Sequence, residues 1–305
     1  MVEEKKVQIL LSTYNGDRYL EEQLDSLLNQ NYLNVNILIR DDGSTDKTVS
    51  ILKEYEGKPK MRIIYRENIG VIESFFDLIK NADKDCEFTA FCDQDDVWEQ
   101  DKITRAVEML SEIPDNIPSM YCSRLKIVDE NLGFIKISEM PPKGASFENS
   151  LVENIVTGCS VVINKAAILL LMREFPKAIL MHDWWMYQVI SGIGQVIYDD
   201  QARILYRQHS NNVVGISTNI ISEIKTRVTR FNKNRRNKMK RGQEIELLRI
   251  FGNELSKEKR ELLSSFIHRP GSFLARIQYA LRTKVYRQKM MDDLLMRFLI
   301  AINQF

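Results

Sequence analysis

Phe88-Thr89-Ala90-Phe91-Cys92-Asp93-Gln94-Asp95-Asp96 runs from five residues of strand length and apolar character straight into three carboxylates. A short apolar run ending abruptly in polar residues predicts a buried strand and the loop at its carboxyl end. Three earlier stretches have the same form. Val7–Leu11 leads into Ser12-Thr13-Tyr14-Asn15, Val35–Ile39 into Asp41-Asp42-Gly43-Ser44, and Met61–Tyr65 into Glu67-Asn68-Ile69-Gly70. Helical spacing fills the gaps: Asp17–Gln30, a segment starting at Thr45-Asp46, Val71–Ile79 and, after the last cluster, Lys102–Leu110. This alternation predicts an α/β fold with a parallel sheet and right-handed crossovers. In open sheets of that kind ligands bind beyond the carboxyl ends of the strands, where all four polar clusters fall.

Beyond residue 115 the pattern is less regular. Tyr121–Val128 and Phe134–Ile137 read as a hairpin around Asp129–Gly133, and Met140–Asn149, with Pro141, Pro142 and Gly144, as a loop. Ser160–Ile163 reads as a strand, Lys165–Glu174 as a helix, and a second helix begins at His182-Asp183. Gln195–Tyr198 and Arg203–Tyr206 are short strands; from Ile220 onward the pattern is helical, broken at Pro270-Gly271.

The 305 residues carry 43 Lys/Arg against 42 Asp/Glu, a net charge of +1. That balance conceals a split. Residues 216–305 hold 20 Lys/Arg and 8 Asp/Glu, net +12, which leaves −11 on residues 1–215. The expected organisation is therefore an acidic α/β domain over 1–215 and a basic helical tail over 216–305. Cys86, Cys92, Cys122 and Cys159 show no metal-binding spacing and read as reduced, buried thiols. No apolar run reaches the ~18 residues of a membrane span, and the charged start, Glu3-Glu4-Lys5-Lys6, lacks a signal-peptide h-region. A cytoplasmic location is expected.

Asp93 and Asp95, one residue apart past a strand, can hold a hard divalent cation while leaving positions open for phosphate oxygens. The plain alternative is an Asp-rich turn capping the next helix. Tyr14 offers a stacking face and Asp41 or Asp42 an acceptor for the ring N–H of a pyrimidine; Asp42-Gly43 also suits an ordinary turn.

The ordered set Thr13-Tyr14-Asn15, Asp41-Asp42-Gly43-Ser44-Thr45-Asp46, Asn68-x-Gly70 and Asp93-Gln94-Asp95-Asp96 resembles the family 2 inverting glycosyltransferases of GT-A fold. The resemblance spans roughly residues 7–215. It implies a Rossmann-like, mostly parallel central sheet flanked by helices and a nucleotide-diphosphate sugar donor. Thr13, Tyr14, Asn15, Asp41, Asp42 and Asn68 would then bind the nucleotide, Asp93 would contact the ribose, and Asp95 would ligate Mn2+ or Mg2+, with Asp96 supporting the site.

An inverting transfer needs one base to take the acceptor hydroxyl proton. Asp183, in His182-Asp183-Trp184-Trp185, fits that role within the family pattern, with Trp184 and Trp185 stacking on acceptor sugar; a helix-start aspartate beside core tryptophans is the structural alternative. Gly158, in Thr157-Gly158-Cys159-Ser160, allows close backbone approach to a sugar or simply a tight turn into a strand. In Tyr206–Gly215, Arg207 is a candidate for the diphosphate and His209 for the metal. The 182–185 and 206–215 segments resemble bacterial rhamnosyltransferases, which implies dTDP-L-rhamnose as donor and a lipid-linked cell-surface glycan as acceptor. A UDP-hexose or UDP-HexNAc donor is the alternative within the fold, and a noncatalytic nucleotide- or glycan-binding adaptor the alternative outside it.

Between Lys225 and Arg241 lie nine Lys/Arg and no acids. Later, Phe266, Phe273, Ile277, Tyr279/Ala280 and Leu281 alternate with Arg269, Arg276, Arg282, Lys284 and Arg287. Solvated helix faces are one reading. The other is a foot on an anionic membrane, peripheral at the inner face of the plasma membrane. No nucleic-acid recognition motif accompanies the charge, and no nucleic-acid partner is expected.

Overall fold

The computed structural model describes residues 5–209 and 234–305. In chain order the elements are β1 (Val7–Thr13), α1 (Leu20–Leu28), β2 (Val35–Asp41), α2 (Thr48–Tyr55), β3 (Met61–Tyr65), α3 (Val71–Lys80) and β4 (Phe88–Cys92). Then come β5 (Val97–Trp98), α4 (Lys102–Ser111), β6 (Ser119–Ser123), β7 (Lys126–Val128), β8 (Phe134–Ile137) and α5 (Phe147–Ser150). A 3-10 turn at Gly158–Ser160 precedes β9 (Val162–Asn164), α6 (Lys165–Leu171), α7 (His182–Ile193), β10 (Gln195–Asp199) and β11 (Ile204–Arg207). The described helices of the tail are α8 (Asn234–Phe251), α9 (Lys257–Ile267), α10 (Phe273–Arg282) and α11 (Met290–Ala301).

Contacts group the chain into two compact units. The first takes Met1–Met140, Val156–Phe175 and Gly194–Ser210; the second takes Pro141–Ile155, Pro176–Ile193 and Asn211–Phe305. Set beside the division expected at 215/216, segments 141–155 and 176–193 go with the tail helices. The reason lies in α7, of whose twelve residues all but Ile193 are buried. A helix buried around its circumference needs neighbours on several sides. At Gly192 an added Cβ would stand 2.8 Å from Leu255, so the tail packs within backbone reach of α7.

In the first unit a seven-stranded sheet has the order β10-β6-β9-β4-β1-β2-β3. β1 pairs in parallel with both β2 and β4, and β2 with β3, as the strand–helix alternation predicts. Val7, Ile9, Leu10 and Leu11 of β1 and all five residues of β4 are buried, because a parallel sheet covered on both faces has no solvent side. β9 runs antiparallel between β4 and β6. The hairpin expected over 121–137 is split. β6 joins the main sheet, while β7 and β8 pair in a second sheet of order β5-β11-β7-β8. The turn between β7 and β8 is as expected: the Asp129 carboxylate accepts from the N–H groups of Asn131 and Gly133.

The second unit is helical. Ser256 and Ser272 cap α9 and α10 through their side-chain oxygens, and the break at Pro270-Gly271 separates those two helices. Buried Gln243 of α8 donates to Gln188 of α7 and accepts from the Leu180 N–H. All four cysteines are free and buried. No helix among the described residues is long and apolar enough to cross a membrane.

Candidate active site

The carboxyl ends of β1, β2 and β4 meet at one edge of the main sheet. Thr13 and Asp41 are register partners on β1 and β2, and the Asp42 N–H donates to the Thr13 carbonyl. Gly43, at φ +77°, turns the chain after β2; an added Cβ there would meet the Asn68 backbone nitrogen at 2.9 Å. Positive φ and close approach together restrict that position to glycine.

Asp41 is buried. One carboxylate oxygen accepts from the Ser44 N–H, while Oδ1 has no hydrogen-bond partner among the described residues. A buried acceptor with nothing to accept is costly unless a ligand completes it. Tyr14, directly after buried Thr13, leaves 45% of its surface exposed. Asn15, at φ +47°, accepts from the Thr45 N–H through its side chain and donates its own N–H to Ser44, tying the β1 loop to the β2 loop. Asn68 is exposed.

Asp42 is structural. It ion-pairs with buried Arg40 and accepts from the N–H groups of Ile69 and Gly70, so both its oxygens are occupied. Arg40 also binds Asp77 at 2.9 Å. The expectation that Asp42 binds nucleotide is corrected: this carboxylate braces the β2 loop against the Asn68–Gly70 turn.

The residue between the two aspartates of the Asp93–Asp95 pair has a defined task. Gln94 Oε1 accepts from Thr13 Oγ1 (2.7 Å) and the Tyr14 N–H (2.8 Å), and Nε2 donates to the Tyr14 carbonyl (3.1 Å). The carboxamide clasps the β1 loop to the β4 loop, and the Thr13 hydroxyl is spent on that clasp. An added Cβ at Gly16 would lie 2.3 Å from Gln94 Oε1. The sequence pattern assigns no role to Gln94 or Gly16; the available signal is a side chain able to donate and accept at once, opposite a glycine in the facing cluster.

Asp95 and His209, the two candidate metal ligands, lie side by side, with His209 Nε2 and Asp95 Oδ2 2.8 Å apart in a part-buried setting. The His209 ring stacks on Tyr19 at 5.2 Å. Arg207 fills a different role from the one expected. It is buried, and its backbone N–H donates to Asp96 Oδ1, its Nε to the Asp95 carbonyl, one terminal nitrogen to the Glu130 carbonyl and the other to the Glu22 carboxylate. Its guanidinium also lies 4.4 Å over the Tyr19 ring. With these donors engaged, Arg207 anchors the aspartate loop to α1 and β11 and is not placed as a diphosphate ligand.

Asp93, Asp96 and Cys159 place donor atoms within 4.8 Å of one another. Burial, with Asp95 and Asp93 beside it, pushes the Asp96 carboxyl well above the usual carboxylate range. Burial and the Asp96 charge push the Cys159 thiol up as well. A protonated thiol is a poor ligand for a hard cation, which takes oxygen donors. The part-buried Asp95 carboxylate and the His209 imidazole fit such an ion better than a set that includes the fully buried Asp96 and Cys159. Beneath it, Lys102 is fully buried with its ammonium 3.3 Å from the Trp98 ring, and burial lowers it to about 7.

In the helical unit, Asp183 is buried in the first turn of α7, where its Oδ1 accepts from the Trp184 N–H at 2.6 Å. The stacking role expected of the tryptophans is corrected. Trp184 is buried with its indole N–H donating to the Ser150 carbonyl, and Trp185 is buried 6.0 Å from the Phe251 ring. Both complete the core around α7. Gly158 is buried at the start of the 3-10 turn. Asn211, Asn212, Lys225, Arg227, Arg230 and Lys233 lie outside the described residues. Phe266 and Ala280, expected on an amphipathic outer face, are core residues, whereas Phe273 and Leu281 are exposed.

Residues 8–168 match the family described as glycosyl transferase family 2. The chain belongs to that family. A dTDP-rhamnosyl transferase, RfbG of Shigella flexneri, is 30% identical over 231 residues, covering 70% of this chain and 77% of that protein. The crystal structure of S. aureus TarS 1–349 superposes with a TM-score of 0.58 at 16% identity, covering 98% of this chain and 80% of that one. The mannosyltransferase PcManGT from Pyrobaculum calidifontis, in complex with GDP-Man and Mn2+, gives 0.53 at 15% identity, covering 100% and 82%. At these identities the structural likeness speaks for the fold, a GT-A glycosyltransferase with C-terminal helices. The protein is accordingly a glycosyltransferase, in a family whose members often use a divalent metal.

The Gln94 clasp yields a test in this family member. Gly16→Ala should displace the carboxamide and remove up to three hydrogen bonds, about 2 kcal/mol in all, raising the donor KM by roughly tenfold or more. Gln94→Ala should match it. Adding Gly16→Ala to Gln94→Ala should then cost little, because the two substitutions act on one interaction; fully additive losses in donor titrations would refute the clasp.

Proposed function

We propose that this glycosyltransferase moves L-rhamnose from dTDP-L-rhamnose, with inversion, to a hydroxyl of a lipid-linked cell-surface glycan on the cytoplasmic side of the membrane. The carrying observation is the buried, partnerless Asp41 Oδ1. Such an oxygen suits the ring N–H of thymine, and Tyr14, near the same sheet edge, offers a face for the base. Similarity to the Shigella flexneri dTDP-rhamnosyl transferase supports rhamnose as the sugar.

Asp95 and His209 would hold Mn2+ or Mg2+, with Asp93 at the ribose. A cation there supplies positive charge against the diphosphate as it leaves. Asp183 acts as the base: it takes the proton of the acceptor hydroxyl as that oxygen bonds to the anomeric carbon and the bond to the diphosphate breaks, releasing dTDP. Arg207 and Gln94 keep the aspartate loop and the base loop in register, which limits the reorganisation needed at the moment of transfer.

Purified full-length protein with Mn2+ should bind and turn over dTDP-L-rhamnose at least about tenfold better than UDP-glucose, UDP-GlcNAc or GDP-mannose, a difference of about 1.4 kcal/mol. Isothermal titration and nucleotide release read out the two steps. Preference for a UDP or GDP sugar would overturn the donor assignment, and donor binding with no transfer to any acceptor would overturn the enzymatic reading.

A further inference from the structure

The last two helices each present an apolar row to solvent. On α11 and at its C-cap, Met290, Leu294, Phe298 and Ile302 recur every fourth residue at 71, 55, 59 and 38% exposure, with exposed Met291 beside them. The opposite row, Met296 and Ile300, is buried. On α10, Phe273, Leu274 and Leu281 are exposed. Arg276 donates to the Ala301 carbonyl and Arg297 to the Ala280 carbonyl, fixing the two helices to each other. The outer rows are therefore not loose ends but a held surface, and exposed apolar surface of this extent marks an interaction site.

The charge around it indicates the partner. Residues 269–305 contain seven Lys/Arg and two Asp/Glu. Of the two acids, Asp293 is already engaged by Arg297 and the Arg287 N–H. Arg282, Lys284 and Lys289 are exposed in and beside the linker between the helices, directly flanking Leu281, Met290 and Met291. A second copy of this chain would bring the same positive face against itself. An anionic bilayer meets both features, since apolar side chains enter the interface while Lys and Arg stay at the headgroups.

We infer that the outer face of α10 and α11 docks on an anionic lipid bilayer. This rests on the reading of a membrane-borne acceptor above. Each Lys or Arg near such a surface contributes about fivefold in partitioning, so three give on the order of a hundredfold.

The test uses full-length protein and vesicles of phosphatidylcholine with or without 30% phosphatidylglycerol, read by sedimentation. Binding should favour the anionic vesicles by about a hundredfold at low salt and fall as salt screens it. Leu294→Ser with Phe298→Ser should weaken binding about tenfold or more while the protein stays folded, its melting temperature falling by no more than several degrees because both side chains are already more than half exposed. Arg282→Gln, Lys284→Gln and Lys289→Gln together should remove most of the anionic preference. Wild-type binding left unchanged by both variants would overturn this surface, as would a preference for neutral vesicles. So would sedimentation equilibrium showing that the serine variant only dissolves a dimer or a complex with an added protein. Nucleotide release with a soluble acceptor, followed in the same samples, separates loss of docking from failure of the transfer reading.

Discussion

Asp183→Asn should leave the fold and dTDP binding intact while lowering transfer by about 10²–10⁴-fold, the usual contribution of a positioned general base. Asp183 Oδ1 accepts from the Trp184 N–H. An asparagine carbonyl oxygen can accept the same bond, so the start of α7 need not move. An amide, however, cannot take a proton from a hydroxyl. The competing role, an acid that merely stabilises a helix start, predicts the opposite, because asparagine serves helix N-termini about as well as aspartate. The surroundings make the comparison clean: α7 is buried and held by Gln243 and by the contact at Gly192, so local unfolding is not an easy response to one changed atom. The measurement is kcat at saturating donor and acceptor, alongside the melting temperature and dTDP affinity. Activity within about threefold of wild type would remove Asp183 from the chemistry.

Most of the sheet was legible because the signal is local. Val7–Leu11, Val35–Ile39, Met61–Tyr65 and Phe88–Cys92 are short apolar runs with one polar residue each, and each falls within an observed strand; β1, β2 and β4 are mostly buried, as expected of strands covered on both faces, whereas β3 lies at the sheet edge and is half-exposed. Longer-range pairing was less legible. Nothing in Tyr121–Val128 shows that the chain changes sheets between Ser123 and Lys126, because both halves alternate like one strand. The candidate site residues Tyr14, Asp41, Asp95 and His209 stand out in the sequence because they lie in polar clusters, and the structure puts those clusters at strand ends. Roles were harder to assign. Arg207 and Asp42 look like ligand-binding groups in sequence, yet their hydrogen-bond capacity is spent on Asp95, Glu130, Glu22 and Asp96 in one case and on Arg40, Ile69 and Gly70 in the other. Those partners lie up to 185 residues away, beyond any local pattern. The same limit hid the tryptophans: Trp184-Trp185 beside an acid suits a sugar platform or a core equally well, and only the position of Phe251 and Ser150 decides for the core.

Asp95→Ala should abolish metal-dependent donor binding and reduce transfer by about 10³-fold or more, matching the several kcal/mol that a cation contributes against a leaving diphosphate. The substitution removes the carboxylate that stands 2.8 Å from His209 Nε2, leaving the imidazole as the lone partner of that pair. Its structural effect should be small, because the contact that fixes the loop, Arg207 Nε to Asp95, is made to the backbone carbonyl, which alanine retains. That feature separates metal holding from loop support. If Asp95 served only the loop, alanine would be well tolerated, whereas Arg207→Met, which cannot hold the loop, would be severe. If Asp95 holds the cation, alanine is the severe change and raising Mn2+ should restore little. Titrating Mn2+ into wild type, Asp95→Ala and His209→Ala, with donor affinity and protein stability as parallel readouts, decides between them. The expected order is wild type tightest, then His209→Ala, then Asp95→Ala, because a carboxylate is the better donor for a hard cation and carries the opposing charge. Equal Mn2+ dependence in wild type and Asp95→Ala would place the cation elsewhere, and the Asp93, Asp96 and Cys159 trio would be the next position to test.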